Sequence, residues 1–153
     1  REFCPCAAKG QAMTPTDELA LTLSWRHGRG AFGPFFAALE QGRILAAVCP
    51  TCGRTVTPPK DRCLFDGAEL VPRELPPVGT VRQLTTGSAS SLLASKSAEE
   101  TFALVQVTGS DNSLLARIAG NGRAVQVGAS VRLAPVAGAV SHPAQLLVFV
   151  VEG

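Results

Sequence analysis

Three cysteines and an aspartate carry the clearest chemistry in this chain. Cys49-Pro50-Thr51-Cys52-Gly53 is answered, one short loop later, by Cys63-Leu64-Phe65-Asp66-Gly67. Two turns of the form C-x-x-C-G grip a tetrahedral metal, because thiolates are the preferred ligands of closed structural zinc sites. The glycine after the second ligand takes the positive φ that turns backbone amides toward the sulfurs. The first turn is complete, and the second has Asp66 where a fourth cysteine is expected. Two readings stay open. Zinc is held by Cys49, Cys52, Cys63 and Asp66, a carboxylate being an acceptable ligand at about 2.0–2.2 Å. Alternatively Asp66 only caps the turn before Gly67, leaving a relic with free thiols. A catalytic zinc is not expected, since the ribbon site is closed and no His or Glu is spaced to activate water.

The other reactive groups stand alone. His27 lies between Arg26 and Arg29, His142 just before Pro143, and neither has an identifiable nucleophile or acid as companion. Tyrosine is absent. Catalytic residues are therefore not assigned, and the chain does not read as an enzyme by itself. Cys4 and Cys6 form a C-x-C within residues 1–13, a stretch read as a disordered or expression-derived leader ahead of Met13.

The elements that must position the metal ligands follow from punctuation and periodicity. Thr16 or Asp17 can cap a first helix. A firmer one is expected over Pro34–Gln41, with proline in its first turn and Gly42 as its stop. Most aromatics fall early: Trp25, Phe32, Phe35 and Phe36 among them. They form either core against the ribbon or a docking face for a partner. Ile44–Val48 reads as the strand that delivers Cys49. Pro72, Pro76 and Pro77 read as a stiff linker. Beyond Gly79, strands are expected at 79–86, 101–108, 114–119, 131–136 and 146–152, with a mobile loop over 87–100. Five short strands joined by Gly/Asn turns suit a Greek-key barrel of the OB type, a small β-sandwich being the alternative. The fold class is mainly β: helices over 14–43, a zinc ribbon and linker over 44–78, and a five-stranded OB-fold barrel over 79–153.

Composition narrows the partners. The 153 residues are 46% hydrophobic and 17% charged, with a net charge of +2, which describes a globular chain. Residues 1–78 carry nine basic and eight acidic groups, residues 79–153 five and four. No basic tract offers a phosphate track, so nucleic acid is an unfavoured partner. No apolar run approaches the roughly 18 residues that span a bilayer. Five cysteines with C-x-x-C spacing fit metal binding in a reducing compartment, and a cytoplasmic location is expected.

The order of parts resembles the domain of unknown function 35 family, OB-fold acyl-CoA-associated proteins with a rubredoxin-like zinc ribbon. The resemblance rests on Pro34-Phe35-Phe36-Ala37-Ala38-Leu39-Glu40-Gln41-Gly42-Arg43-Ile44, then Cys49-Pro50-Thr51-Cys52-Gly53-Arg54 with Pro58-Pro59, then Gly79-Thr80-Val81. Phe102 to Val107, Leu114 to Ile118 and Val127-Gly128-Ala129-Ser130-Val131 continue it. It implies an accessory subunit of thiolase-like or ketosynthase-like enzymes that helps hold an acyl or acyl-CoA group. Trp25, Phe32, Phe35 and Phe36 would be its docking residues. Groups available to CoA phosphates are Arg82, Lys96, Arg117, Arg123 and Arg132, each of which reads more readily as a solvated strand-edge charge, and no CoA site is assigned. The competing class is a stand-alone OB-fold binder of single-stranded nucleic acid.

Overall fold

The structure, a computed structural model, describes residues 22–24, 26, 28–88, 99–120, 125–136, 140 and 143–152. The expected first helix with its Thr16 or Asp17 cap, Cys4, Cys6, Trp25, His27, Lys96, Arg123 and His142 lie outside them.

A single-turn 3-10 segment, Gly30–Phe32, leads into helix α1, Gly33–Glu40. Pro34 sits in the first turn, where its missing N–H has no intrahelical partner to lose. The stop is a Schellman arrangement. Gly42 takes φ 72°, its N–H returns to Leu39 O, and Arg43 N–H reaches Ala38 O, both at 2.9 Å. The helix buries Phe35, Ala38 and Leu39.

Strands β1 (Ile44–Val48), β2 (Thr55–Val56) and β3 (Val71–Leu75) form an antiparallel sheet in the order β2-β1-β3. This corrects one expectation. Pro72 is not linker but part of β3, opposite Ala47 of β1, on an edge strand where sheets accommodate proline. Only Pro76 and Pro77 separate that sheet from the next.

Strands β4 (Val78–Ser88), β5 (Glu99–Val107), β6 (Ser113–Ile118), β7 (Ser130–Leu133) and β8 (Val148–Val151) close a barrel in the order β4-β5-β6-β8-β7. Strand β7 returns to β4, and β6 with β8 is the one parallel pair among the described residues. A closed five-stranded barrel is what the strand spacing led one to expect, in place of a sandwich. The first strand is longer than read, to Ser88, and the fourth shorter, ending at Leu133. Alternation holds on β6, where Leu114, Ala116 and Ile118 face inward. Gly79 is required by close approach: a Cβ there would lie 2.6 Å from the Gln106 carbonyl oxygen of β5.

One core runs through helix, ribbon sheet and barrel, from Phe35 and Leu39 through Ile44, Ala46 and Leu75 to Val81, Val105, Val131 and Phe149. A second, small cluster among the described residues buries Ala47, Cys49, Cys63 and Leu70, with Val56 and Ala68 packed against it. Strand β1 feeds both. The β5–β6 turn meets the ribbon directly: Asp111 Oδ2 accepts from Thr55 N–H at 2.7 Å and Asn112 Oδ1 from Thr57 N–H at 2.9 Å. No helix among the described residues is long and apolar enough to cross a membrane.

Candidate metal centre

Both knuckles are built on one backbone plan. In the first, Cys49 N–H donates to Arg54 O and Gly53 N–H to Cys49 O, at 2.8 and 2.9 Å. In the second, Cys63 N–H donates to Ala68 O and Gly67 N–H to Cys63 O, at 2.9 and 3.1 Å. Gly53 and Gly67 both take φ 73°, the left-handed value that glycine adopts without strain. Asp66 therefore occupies, in the second knuckle, the place Cys52 holds in the first.

The four side chains converge. The thiol sulfurs of Cys49, Cys52 and Cys63 and a carboxylate oxygen of Asp66 lie within 4.8 Å of one another. Cys52 Sγ and Cys63 Sγ are 3.7 Å apart, close to the edge of about 3.8 Å of a tetrahedron with metal–sulfur bonds of about 2.3 Å. Cys49 Sγ lies 3.2 Å from Asp66 Oδ2. Three soft sulfurs and one hard oxygen at these separations are compatible with zinc. Capping the turn does not by itself take Asp66 away from the cysteines. Its Oδ1 accepts from Ala68 N–H at 2.9 Å, capping the turn, while the same carboxylate faces Cys49.

The backbone already leans on the sulfurs. Cys52 N–H points at Cys49 Sγ at 3.4 Å, and Phe65 N–H at Cys63 Sγ at 3.5 Å. The Cys52 amide is the main reason the Cys49 thiol lies below the usual thiol range, against the opposing effect of desolvation. The Ala68 amide, then the Cys49 thiol, hold the Asp66 carboxyl below the usual carboxylate range. Cys52 goes the other way, to about 11. The Arg54 amide lowers it, but desolvation and its neighbours Cys49, Cys63 and Asp66 outweigh that. Replacing Asp66 with cysteine completes a four-thiolate set, and zinc affinity is expected to rise by roughly 10- to 100-fold. Competition against a chromophoric chelator measures it.

The expected docking aromatics divide. Phe35 is 1% exposed and belongs to the core, so no partner can reach it in this structure. The cause is helical geometry: neighbours on a short helix point about 100° apart, and Phe35 takes the side facing the barrel. Phe36 is half-buried and Phe32 exposed, their ring centroids 6.4 Å apart. In the barrel, Phe149 is fully buried while Phe102 is only half-buried. Arg117 and Arg132 pair on the surface with Glu100 and Glu152 at 3.1 and 2.7 Å, and Arg82 donates to Gln106. What sequence reasoning missed is the Asp111–Asn112 contact with the ribbon. Those residues read locally as a turn, and no signal in the chain marks their distant partners.

Comparison with known proteins agrees with this architecture. Residues 36–71 match the family described as ChsH2, rubredoxin-like zinc ribbon domain. Comparison with curated proteins gives no match. Among solved structures, the chain is similar to a protein of unknown function from the DUF35 family of Sulfolobus solfataricus, at 21% identity and a TM-score of 0.58. That likeness covers 81% of this chain and 87% of the other. It is similar also to a chain of an Ltp2-ChsH2(DUF35) aldolase, at 20% identity and a TM-score of 0.59, covering 83% of this chain and 98% of that one. The family match covers the ribbon, and the likeness to the two solved structures is one of fold.

Proposed function

We propose that this chain is a non-catalytic accessory subunit. It assembles with a thiolase-superfamily acyltransferase or lyase and helps organise acyl or acyl-CoA transfer. One observation carries the reading: over 83% of its length this chain shares the fold of a chain of an Ltp2-ChsH2(DUF35) aldolase. A ribbon whose four ligand-type side chains already face one another fits an architectural zinc, held by Cys49, Cys52, Cys63 and Asp66 in a reducing cytoplasm. Phe32 and Phe36, with Trp25 before them, form the aromatic side of the proposed enzyme interface, and Phe35 supports them from the core at a centroid distance of 5.6 Å from Phe36.

Co-expression with the thiolase-like or ketosynthase-like proteins encoded beside it tests the assignment. The expected result is one peak by size exclusion holding both chains, with acyl-transfer or carbon–carbon lyase activity that neither has alone. A chain that elutes alone beside every such candidate would sink the proposal. A salt-sensitive gel shift on single-stranded DNA would then favour the nucleic-acid reading.

A further inference from the structure

We infer that the tip of the second knuckle is a docking surface, separate from the helical aromatics, for an acidic segment of a partner protein that inserts an apolar side chain. The inference rests on the accessory-subunit reading and names a contact site within it. Leu64 and Phe65 stand between the two ligands of that knuckle and are 78% and 66% exposed. Leu64 is the most exposed large apolar side chain among the described residues. The knuckle fold does not ask for them. In the first knuckle, which repeats the same hydrogen bonds, the corresponding positions are Pro50 and Thr51. Scattered exposed leucines are ordinary, but here two large neighbours rim one cleft whose floor is Val56 and Leu70.

The charge around that cleft selects the occupant. Its lining includes Arg54, Lys60 and Arg62 and no carboxylate, although the whole chain is nearly neutral at +2. Three cations about an apolar slot complement a segment that carries Asp or Glu beside a Leu, Met or aromatic anchor. A stacked nucleobase fits less well, because the Arg54 guanidinium already covers one face of the Phe65 ring at 3.8 Å from its centroid. The surface is also held by the metal centre. Phe65 N–H points at Cys63 Sγ, and Arg62 donates to Gly67 O at 3.2 Å. Occupied ligands thus fix the shape the partner reads.

The test uses the full chain in its zinc-loaded form with the co-expressed thiolase-like subunit as probe. Leu64→Ser with Phe65→Ser, and separately Arg54→Glu with Lys60→Glu, are compared with the parent after zinc content and Tm show an intact ribbon. The apolar pair is expected to weaken the complex by roughly 30- to 100-fold. The charge pair is expected to slow association and to flatten its salt dependence. Parent-like binding by both variants, with the complex otherwise formed, overturns this inference and leaves the accessory role standing. Absence of any complex with the parent overturns both. Binding of a single-stranded oligonucleotide that is lost in the Phe65 variant also overturns it, since the tip would then be a base platform.

Discussion

Replacing Cys63 with serine, or stripping the metal with a chelator, is expected to unfold the ribbon and leave the barrel standing. Among the described residues, the buried apolar support for the two knuckles is four residues, Ala47, Cys49, Cys63 and Leu70, two of them proposed ligands, with Val56 and Ala68 partly buried against them. So small a cluster cannot fold a loop of this length alone, and metal binding supplies the missing free energy. The barrel holds the larger part of the main core, around Val105, Val131 and Phe149. Trypsin makes the difference visible. Arg54, Lys60 and Arg62 lie in the ribbon, and cleavage there should accelerate by at least about 100-fold. Arg117 and Arg132, paired in barrel strands, and Arg82, at a bulge within β4, should stay protected. The Tm of the whole chain should fall by on the order of 10 °C or more.

The same site carries a pH dependence of known sign. Cys52, pushed up to about 11, is protonated at neutral pH and must lose its proton to ligate. Apparent zinc affinity should therefore rise by about tenfold per pH unit for that one proton. Cys49 and Asp66 both lie below their ordinary values, so protons compete less with the metal for these two groups as pH falls. Titration of zinc against pH, with proton release followed in weakly buffered solution, reads both. A flat affinity between pH 6 and 8 would show that the ligands are deprotonated before metal arrives.

What the chain discloses about itself divides along the range of the forces involved. The knuckles are legible because their determinants are local: ligand spacing and a glycine that must reach φ 73°. The barrel strands are legible because alternation such as Leu114, Ala116 and Ile118 records which face is buried. Pro72 misled because proline signals a loop through its own backbone, whereas its place on an edge strand depends on what lies beside it. Phe35 and Phe36 could not be told apart because one short apolar helix does not say which side the barrel covers. Asp66 stayed ambiguous for a chemical reason. One carboxylate has enough acceptor positions to cap Ala68 and face Cys49 together.

The least legible feature has a large expected effect. Asn112→Ala should destabilise the chain by about 3 kcal/mol, seen as a Tm lower by roughly 6–12 °C. Thr57 is fully buried, and its two backbone groups are both answered by the Asn112 side chain. Oδ1 accepts from Thr57 N–H at 2.9 Å, and Nδ2 donates to Thr57 O at 2.7 Å. The amide imitates one residue of a neighbouring strand on the free edge of β2. Asp111 extends the imitation, its own N–H donating to Thr55 O at 2.8 Å and its carboxylate accepting from Thr55 N–H. Alanine at 112 leaves a buried donor and a buried acceptor unmatched, each costing about 1–3 kcal/mol. Asn112→Asp separates this account from simple loss of packing. It keeps the acceptor for Thr57 N–H but sets a carboxylate oxygen against Thr57 O, so it should be no better than alanine despite its shape. If aspartate restores the parent Tm, the donor half of the contact contributes nothing. Because the turn belongs to the barrel and Thr57 to the ribbon, the alanine variant should also loosen their coupling. Hydrogen exchange at Thr55 and Thr57 would then rise before exchange in β5 and β6.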